Sequence, residues 1–309
     1  MSWIGRKAGR TAKFLHLVLK GHILNPVWAS REGRRKRRYS ATFDSVMGYL
    51  RRYAGPISRI RPAKPDTTPE PERAFTIWYQ GEEQAPPLVK ACFRSMRRHL
   101  KQELVVLDEK TLFDWITLPD YIIDKWRSGK IAHTQFSDIC RIELLYEHGG
   151  LWFDATDYVT SPVPQYIMDE DFFLFMAGER IRGSYAFIQS CFIRAKKGNP
   201  VLGVWRGANA VYWKEEDSKI NYFVHHLLLR LSVDVNPVAA EHFGRMPKVD
   251  QDPTHALWGE HCMGPYDEAA FASLTADSFF QKTNYKDKRL KDMAPGTVSE
   301  HIINSNLPE

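Results

Sequence analysis

The segment Phe136 to Thr160, FSDICRIELLYEHGGLWFDATDYVT, carries side chains able to grip a charged ligand. Asp138 and Arg141 stand three apart, so on a helix they share a face. Asp154, Thr156 and Asp157 follow closely and offer several oxygen donors without sulfur, a set that suits Mg²⁺ or Mn²⁺ bridging the oxygens of a diphosphate. Gly149 and Gly150 lie between the two groups, where they let the chain turn sharply and bring backbone close to a ligand. Taken alone, the same residues also fit a surface salt bridge and a turn in which Asp154 and Asp157 cap backbone groups.

These side chains need elements to position them. Thr134 is placed to cap a helix that runs to Glu147 and stops at Gly149-Gly150. Leu151–Phe153 then reads as a short apolar strand delivering Asp154 at its carboxyl end. Upstream, AFTIWY (74–79) and ELVVL (103–107) read as buried strands, separated by a helix from about Pro87 to His99. Helical segments are expected at Glu109–Trp115 and Tyr121–Arg127, the latter following Pro119. Strands alternating with helices predict an α/β domain with a mostly parallel sheet, whose ligands gather at the carboxyl ends of the strands.

The whole chain has 309 residues, 43% hydrophobic and 13% aromatic, enough apolar material for a sizeable core. Its charge is uneven, +14 over residues 1–64 and −8 over the rest. Ile4, Ala8, Leu15, Val18 and Leu19 share one side of a helix whose other side carries Arg6, Arg10, Lys13 and Lys20. A basic amphipathic helix with Trp3, Phe14 and Trp28 favours an anionic membrane surface over nucleic acid as the partner of residues 1–60. The proline-rich stretch PAKPDTTPEP at 62–71 reads as a linker, dividing an arm, 1–64, from a catalytic domain, 65–309. Cys92, Cys140, Cys191 and Cys262 form no CxxC or CxxxC pair and read as buried reduced thiols. No stretch approaches the ~18 apolar residues of a transmembrane helix, so the expected location is cytoplasmic, peripheral on the inner face of the plasma membrane.

Several of these segments together resemble a known family. SDICR, LLY and GGLWFDAT, with IWYQGEEQAPPLVKACFRSM (77–96) and LPDYIIDKWRSGKIAHTQFSD (118–138) before them, closely resemble the capsular polysaccharide synthesis proteins. These are DxD-type glycosyltransferases related to mannosyltransferases and clostridial glucosylating toxins. The likeness thins downstream to KKGNP (196–200), Gly264-Pro265 and YKDKRL, and it does not reach the basic arm.

The resemblance implies a GT-A-like nucleotide-sugar-binding domain. It implies metal-dependent hexosyl transfer with retention, from a nucleotide-diphosphate sugar to a polysaccharide or lipid-linked oligosaccharide acceptor. Asp154 matches the first DxD aspartate, a contact to metal and donor ribose. The second aspartate position is held by Thr156, which leaves the direct ligand open among Thr156, Asp157 and a diphosphate-bound water. Asp138 and Arg141 match a donor-sugar clamp. Trp78 and Gln80 match the region that receives the nucleotide, although Trp78 fits a core role equally well. His261, Lys286 and Lys288 are candidates for a further metal or phosphate contact near the C-terminus, and each fits a solvated surface as readily. The missing second aspartate keeps a rival in view, a non-catalytic nucleotide-sugar or polysaccharide-binding protein with a degenerate site. A nucleotidyltransferase differs in releasing pyrophosphate. Trp205, Tyr212, Trp213 and Trp258 suit either sugar stacking or core packing.

Overall fold

The computed structural model describes residues 43–63, 72–178, 187–258 and 260–305. The amphipathic helix expected near the start and most of the proline-rich stretch lie outside the described residues.

Five strands form the central sheet, in the order β2-β1-β3-β6-β5. They are β1 (Arg73–Ile77), β2 (Glu103–Leu107), β3 (Gly150–Phe153), β5 (Phe172–Met176) and β6 (Ile188–Ala195). β1 pairs in parallel with β2 and β3, while β6 runs antiparallel to β3 and β5. Four strands therefore point one way and β6 the other, the mostly parallel α/β sheet expected of a GT-A-like domain. A second small sheet pairs β4 (Asp157–Val159) with β7 (Phe280–Lys282) in antiparallel register.

Strand alternation divides the core in two. Phe75, Trp152, Leu174 and Ile193 face a large cluster with the helices His133–His148, Pro200–Glu215 and Val224–Val235. Ala74, Leu151, Phe153, Phe173 and Phe192 face a second cluster with Val89, Phe93 and Met96 of the Pro87–His99 helix. Both faces are covered, which explains why these strands read as near-continuous apolar runs. All four cysteines are free and buried.

Residues 43–63, grouped with the arm, belong to this body. Val46, Leu50, Tyr53 and Ile57 sit in the large cluster, and the hydroxyls of Tyr49 and Tyr53 each donate to Glu216 at 2.5 Å. Asn236 Nδ2 donates to the carbonyls of Ile57 and Ile60 at 3.0 Å each. Gly203 and Gly207 leave room for this segment, since a Cβ on either would meet Pro62 or Ile60 at 2.7 Å. The packed body thus starts upstream of the boundary drawn at residue 64. The proline-rich stretch marked that boundary, and the apolar residues among the arginines ahead of it join the core.

Two local expectations are corrected. The helix bearing Asp138 begins at His133 with Ala132 at its N-cap, so Thr134 lies inside the helix and caps nothing. The helix expected at Glu109–Trp115 is a single 3-10 turn, Leu112–Asp114, because Asp108 draws the N–H groups of Lys110 and Thr111 onto its own carboxylate.

Candidate functional site

β1, β2 and β3 end at one edge of the sheet, and β6 begins there. Asp154 follows β3 directly, with its N–H donating to Cys191 O at 2.8 Å. Arg141 reaches the same edge from the His133–His148 helix. Its Nη1 donates to the carbonyl and the hydroxyl of Ser190, both at 2.7 Å. Its Nη2 lies 3.2 Å from Asp138 Oδ1 and 3.1 Å from Asp154 Oδ1. The guanidinium carbon stands 5.0 Å from the Trp152 ring centroid, and Trp152 Nε1 donates to Asp154 Oδ1 at 3.0 Å. Three residues singled out from the sequence, Asp138, Arg141 and Asp154, thus meet at one point.

A fourth member comes from the small sheet. Antiparallel pairing sets Lys282 directly across from Asp157. The Lys282 ammonium donates to Asp154 Oδ2 at 2.6 Å and lies 3.1 Å from Asp157 Oδ1. Asp157 is fully buried, and its Oδ2 accepts the Asp154 N–H at 3.1 Å. The capping role foreseen for Asp157 is therefore real, alongside its place in an ion network. Asp154 keeps 27% of its side chain exposed, against 6% for Arg141, 9% for Asp138 and 12% for Lys282, so the cluster opens to solvent mainly through Asp154.

Electrostatics follows from this packing. Burial pushes Asp138 up to about 7, with Arg141 only partly offsetting it. Burial likewise raises Asp157 to about 7 against the pull of Lys282. Asp154 is also penalised by burial, but Lys282 and Arg141 together hold it below the ordinary carboxylate range. Burial disfavours charge on Lys282, yet Asp154 and Asp157 overcome this and keep it protonated. Asp154 is the firmly ionised member, while Asp138 and Asp157 can take a proton near neutral pH.

The remaining expected site residues fall elsewhere or play other parts. Gly149 and Gly150 lie at the opposite end of β3 from Asp154, with φ of 67° and 96°. A Cβ on Gly150 would sit 2.2 Å from Arg73 O, and one on Gly149 would sit 2.6 Å from Lys197 N, so close backbone approach within the fold accounts for both glycines. Trp78 directly follows β1, its ring 5.2 Å edge-on from Tyr285 and its buried Nε1–H without a partner among the described residues. Gln80 is exposed in the turn that follows. The Thr156 carbonyl accepts from Thr283 N at 2.9 Å and from Thr283 Oγ1 at 2.8 Å. His261 is exposed on the short helix Glu260–Met263, which packs against the helix Val298–Asn304. Lys286 and Lys288 are exposed as well. Trp205, Tyr212 and Trp213 are core residues, whereas Trp258 is 47% exposed.

Mn²⁺ or Mg²⁺ was expected on Asp154, Thr156, Asp157 and His261, and the donor set does not fit that role. Both oxygens of Asp154 already face cations, Asp157 is sealed and paired with Lys282, and His261 lies on another element. Among the described residues, no group of three or more His, Cys, Asp or Glu is placed to hold a metal.

Sequence reasoning missed Lys282, Ser190 and His226. Ser190 Oγ lies 3.2 Å from Nε2 of the buried His226, which gives the Arg141 anchor a second layer. The local signal for Lys282 is weak, a lone lysine ending the three-residue strand FQK. Only the pairing of β7 with β4 brings it to Asp154.

The model of the family described as "Capsular polysaccharide synthesis protein" matches residues 28–302. The chain belongs to that family. Membership spans the Asp138–Arg141–Asp154 cluster, the Lys282 strand and residues 43–63 alike. Comparison with curated proteins gave no match. Solved structures that match include the chain titled "PaToxG Glycosyltransferase", at 13% identity and a TM-score of 0.37, covering 68% of this chain and 83% of that one. Among the described residues, no helix is long and apolar enough to cross a membrane.

Proposed function

We propose that the chain is a glycosyltransferase that moves a hexosyl group from a nucleoside-diphosphate donor to a surface polysaccharide or its lipid-linked precursor, with retention of anomeric configuration. The observation that carries the reading is the meeting of Arg141 and Lys282 on Asp154 at the carboxyl edge of three parallel strands. Ligands of α/β sheets gather at such an edge, and two cations there suit a diphosphate. Family membership supports the polysaccharide context.

In the proposed step, the bond from the anomeric carbon to the β-phosphate oxygen breaks, and its electron pair leaves with the nucleoside diphosphate. The acceptor hydroxyl oxygen bonds the same carbon from the same face, and its proton passes to the departing phosphate oxygen. Arg141 and Lys282 stabilise the negative charge that builds on that oxygen. Asp154 fixes both cations and, being ionised and part-exposed, accepts hydrogen bonds from donor hydroxyls. The unpartnered Trp78 Nε1–H makes this indole the candidate contact for the base. The basic segment ahead of residue 43 would hold the enzyme at an anionic membrane face where lipid-linked acceptors collect.

Incubation with a panel of nucleotide sugars and product analysis tests the reading. Release of nucleoside diphosphate, lost in Asp154→Asn, is expected. Pyrophosphate as the product, or turnover unaffected by Asp154→Asn, would overturn it.

A further inference from the structure

The chain seats a cation between Asp154 and Asp157 by its own means, and that cation is an ammonium. Lys282 Nζ stands 2.6 Å from one carboxylate and 3.1 Å from the other. Several features fix it there. β7 pairs with β4 in a register that sets Lys282 opposite Asp157. The next residue, Thr283, clamps the Thr156 carbonyl with both its N–H and its hydroxyl, which engages the backbone oxygen of the residue expected to bind metal. Withdrawing Lys282 would leave Asp157, fully buried, beside Asp154 with no cation between them. Buried unpaired charge of that kind is strongly disfavoured.

We infer that Lys282 takes the part of the divalent cation, so that the donor diphosphate is bound and its departure assisted by Lys282 and Arg141 without a metal. This inference rests on the glycosyltransferase reading of the same site. Of the three N–H bonds of the ammonium, one goes to Asp154, while Asp157 Oδ1 stands 3.1 Å away as an ion pair without a hydrogen bond, which leaves donor capacity for a phosphate oxygen. Asp138, Asp154 and Asp157 stand against Arg141 and Lys282, with Lys219 acting on Asp138 from further off.

Calorimetric binding of UDP, GDP, ADP, CDP and dTDP to the full chain tests the inference, once with excess EDTA and once with MnCl₂. The expected result is one preferred nucleotide whose affinity is unchanged by EDTA. Lys282→Met should weaken that binding on the order of 100-fold, and Lys282→Arg should recover much of it. Because Lys282→Met removes a buried cation, its melting curve is recorded beside the wild type. Titration of the wild type with MnCl₂ alone, followed by the loss of the free-Mn²⁺ EPR signal, is independent of any variant and should show no saturable site. A nucleotide that binds only with Mn²⁺, or a saturable Mn²⁺ site abolished by Asp154→Asn, overturns the inference and leaves the glycosyltransferase reading standing. No nucleotide bound under either condition overturns both.

Discussion

Replacing Arg141 with methionine removes the centre of the network while keeping much of the side-chain volume. Asp154 would still have Lys282 at 2.6 Å and the Trp152 indole N–H at 3.0 Å. Asp138 would not be so well served, for Arg141 is its ion-pair partner among the described residues and its side chain is only 9% exposed. Breaking a buried pair by deleting one partner costs about 3–5 kcal/mol, most of it from the charge left behind. Asp138 can limit that cost by taking a proton, since burial already holds it at about 7 in the intact protein. The sign of the pH effect follows. In Arg141→Met the folded-state value rises further, so the variant holds a proton that the unfolded chain has lost, and its stability falls as pH rises. Above pH 7 the gap to the wild type should widen by up to about 1.4 kcal/mol per unit. Adding Asp138→Asn removes the stranded carboxyl, and the double variant should regain more than about 2 kcal/mol and lose the added pH dependence above pH 7. Urea unfolding followed by tryptophan fluorescence, from pH 6 to 8.5, measures all three. A cost below about 1 kcal/mol for Arg141→Met, or strict additivity in the double variant, would refute a buried Arg141–Asp138 pair.

Other outcomes can be measured alongside. Gly150→Ala places a methyl 2.2 Å from Arg73 O at a φ of 96°, and should lower stability by about 3 kcal/mol or more in the same urea assay. Deleting residues 1–42 should abolish flotation with anionic liposomes. Deleting residues 1–63 should instead yield aggregated protein, because Leu50, Tyr53 and Ile57 leave the core. Burial holds His226 down at about 3, so below pH 6.5 the unfolded chain takes up a proton that the folded one refuses, and stability falls with falling pH. His226→Gln should make the slope between pH 6.5 and 4.5 shallower by about 1.4 kcal/mol per unit.

Part of the site was legible from the sequence because local rules were enough. Helical spacing put Asp138 and Arg141 on one face, and a short apolar strand after two glycines delivered Asp154 at its end. The sheet was legible for a similar reason, since strands covered on both faces read as apolar runs. Lys282 was not, because it meets Asp154 across 128 residues through a three-residue strand whose pairing leaves almost no local trace. Gly149 and Gly150 were expected to bring backbone close to a ligand, but they lie at the far end of β3 from Asp154, and the backbone that comes close, that of Arg73 and Lys197, is decided by the sheet. Residues 43–63 were grouped with the arm on the proline-rich stretch that follows them, and the apolar residues Val46, Leu50 and Ile57 among the arginines are what join them to the core.

In the proposed reaction a diphosphate docks against Arg141 and Lys282 beside Asp154. A crystal structure with the preferred nucleoside diphosphate, grown with MnCl₂ present, tests it most directly. It should place a phosphate oxygen within hydrogen-bond distance of Lys282 Nζ, with that ammonium still between Asp154 and Asp157. A nucleotide bound elsewhere, or a metal seated between the two carboxylates with Lys282 swung away, would contradict the account.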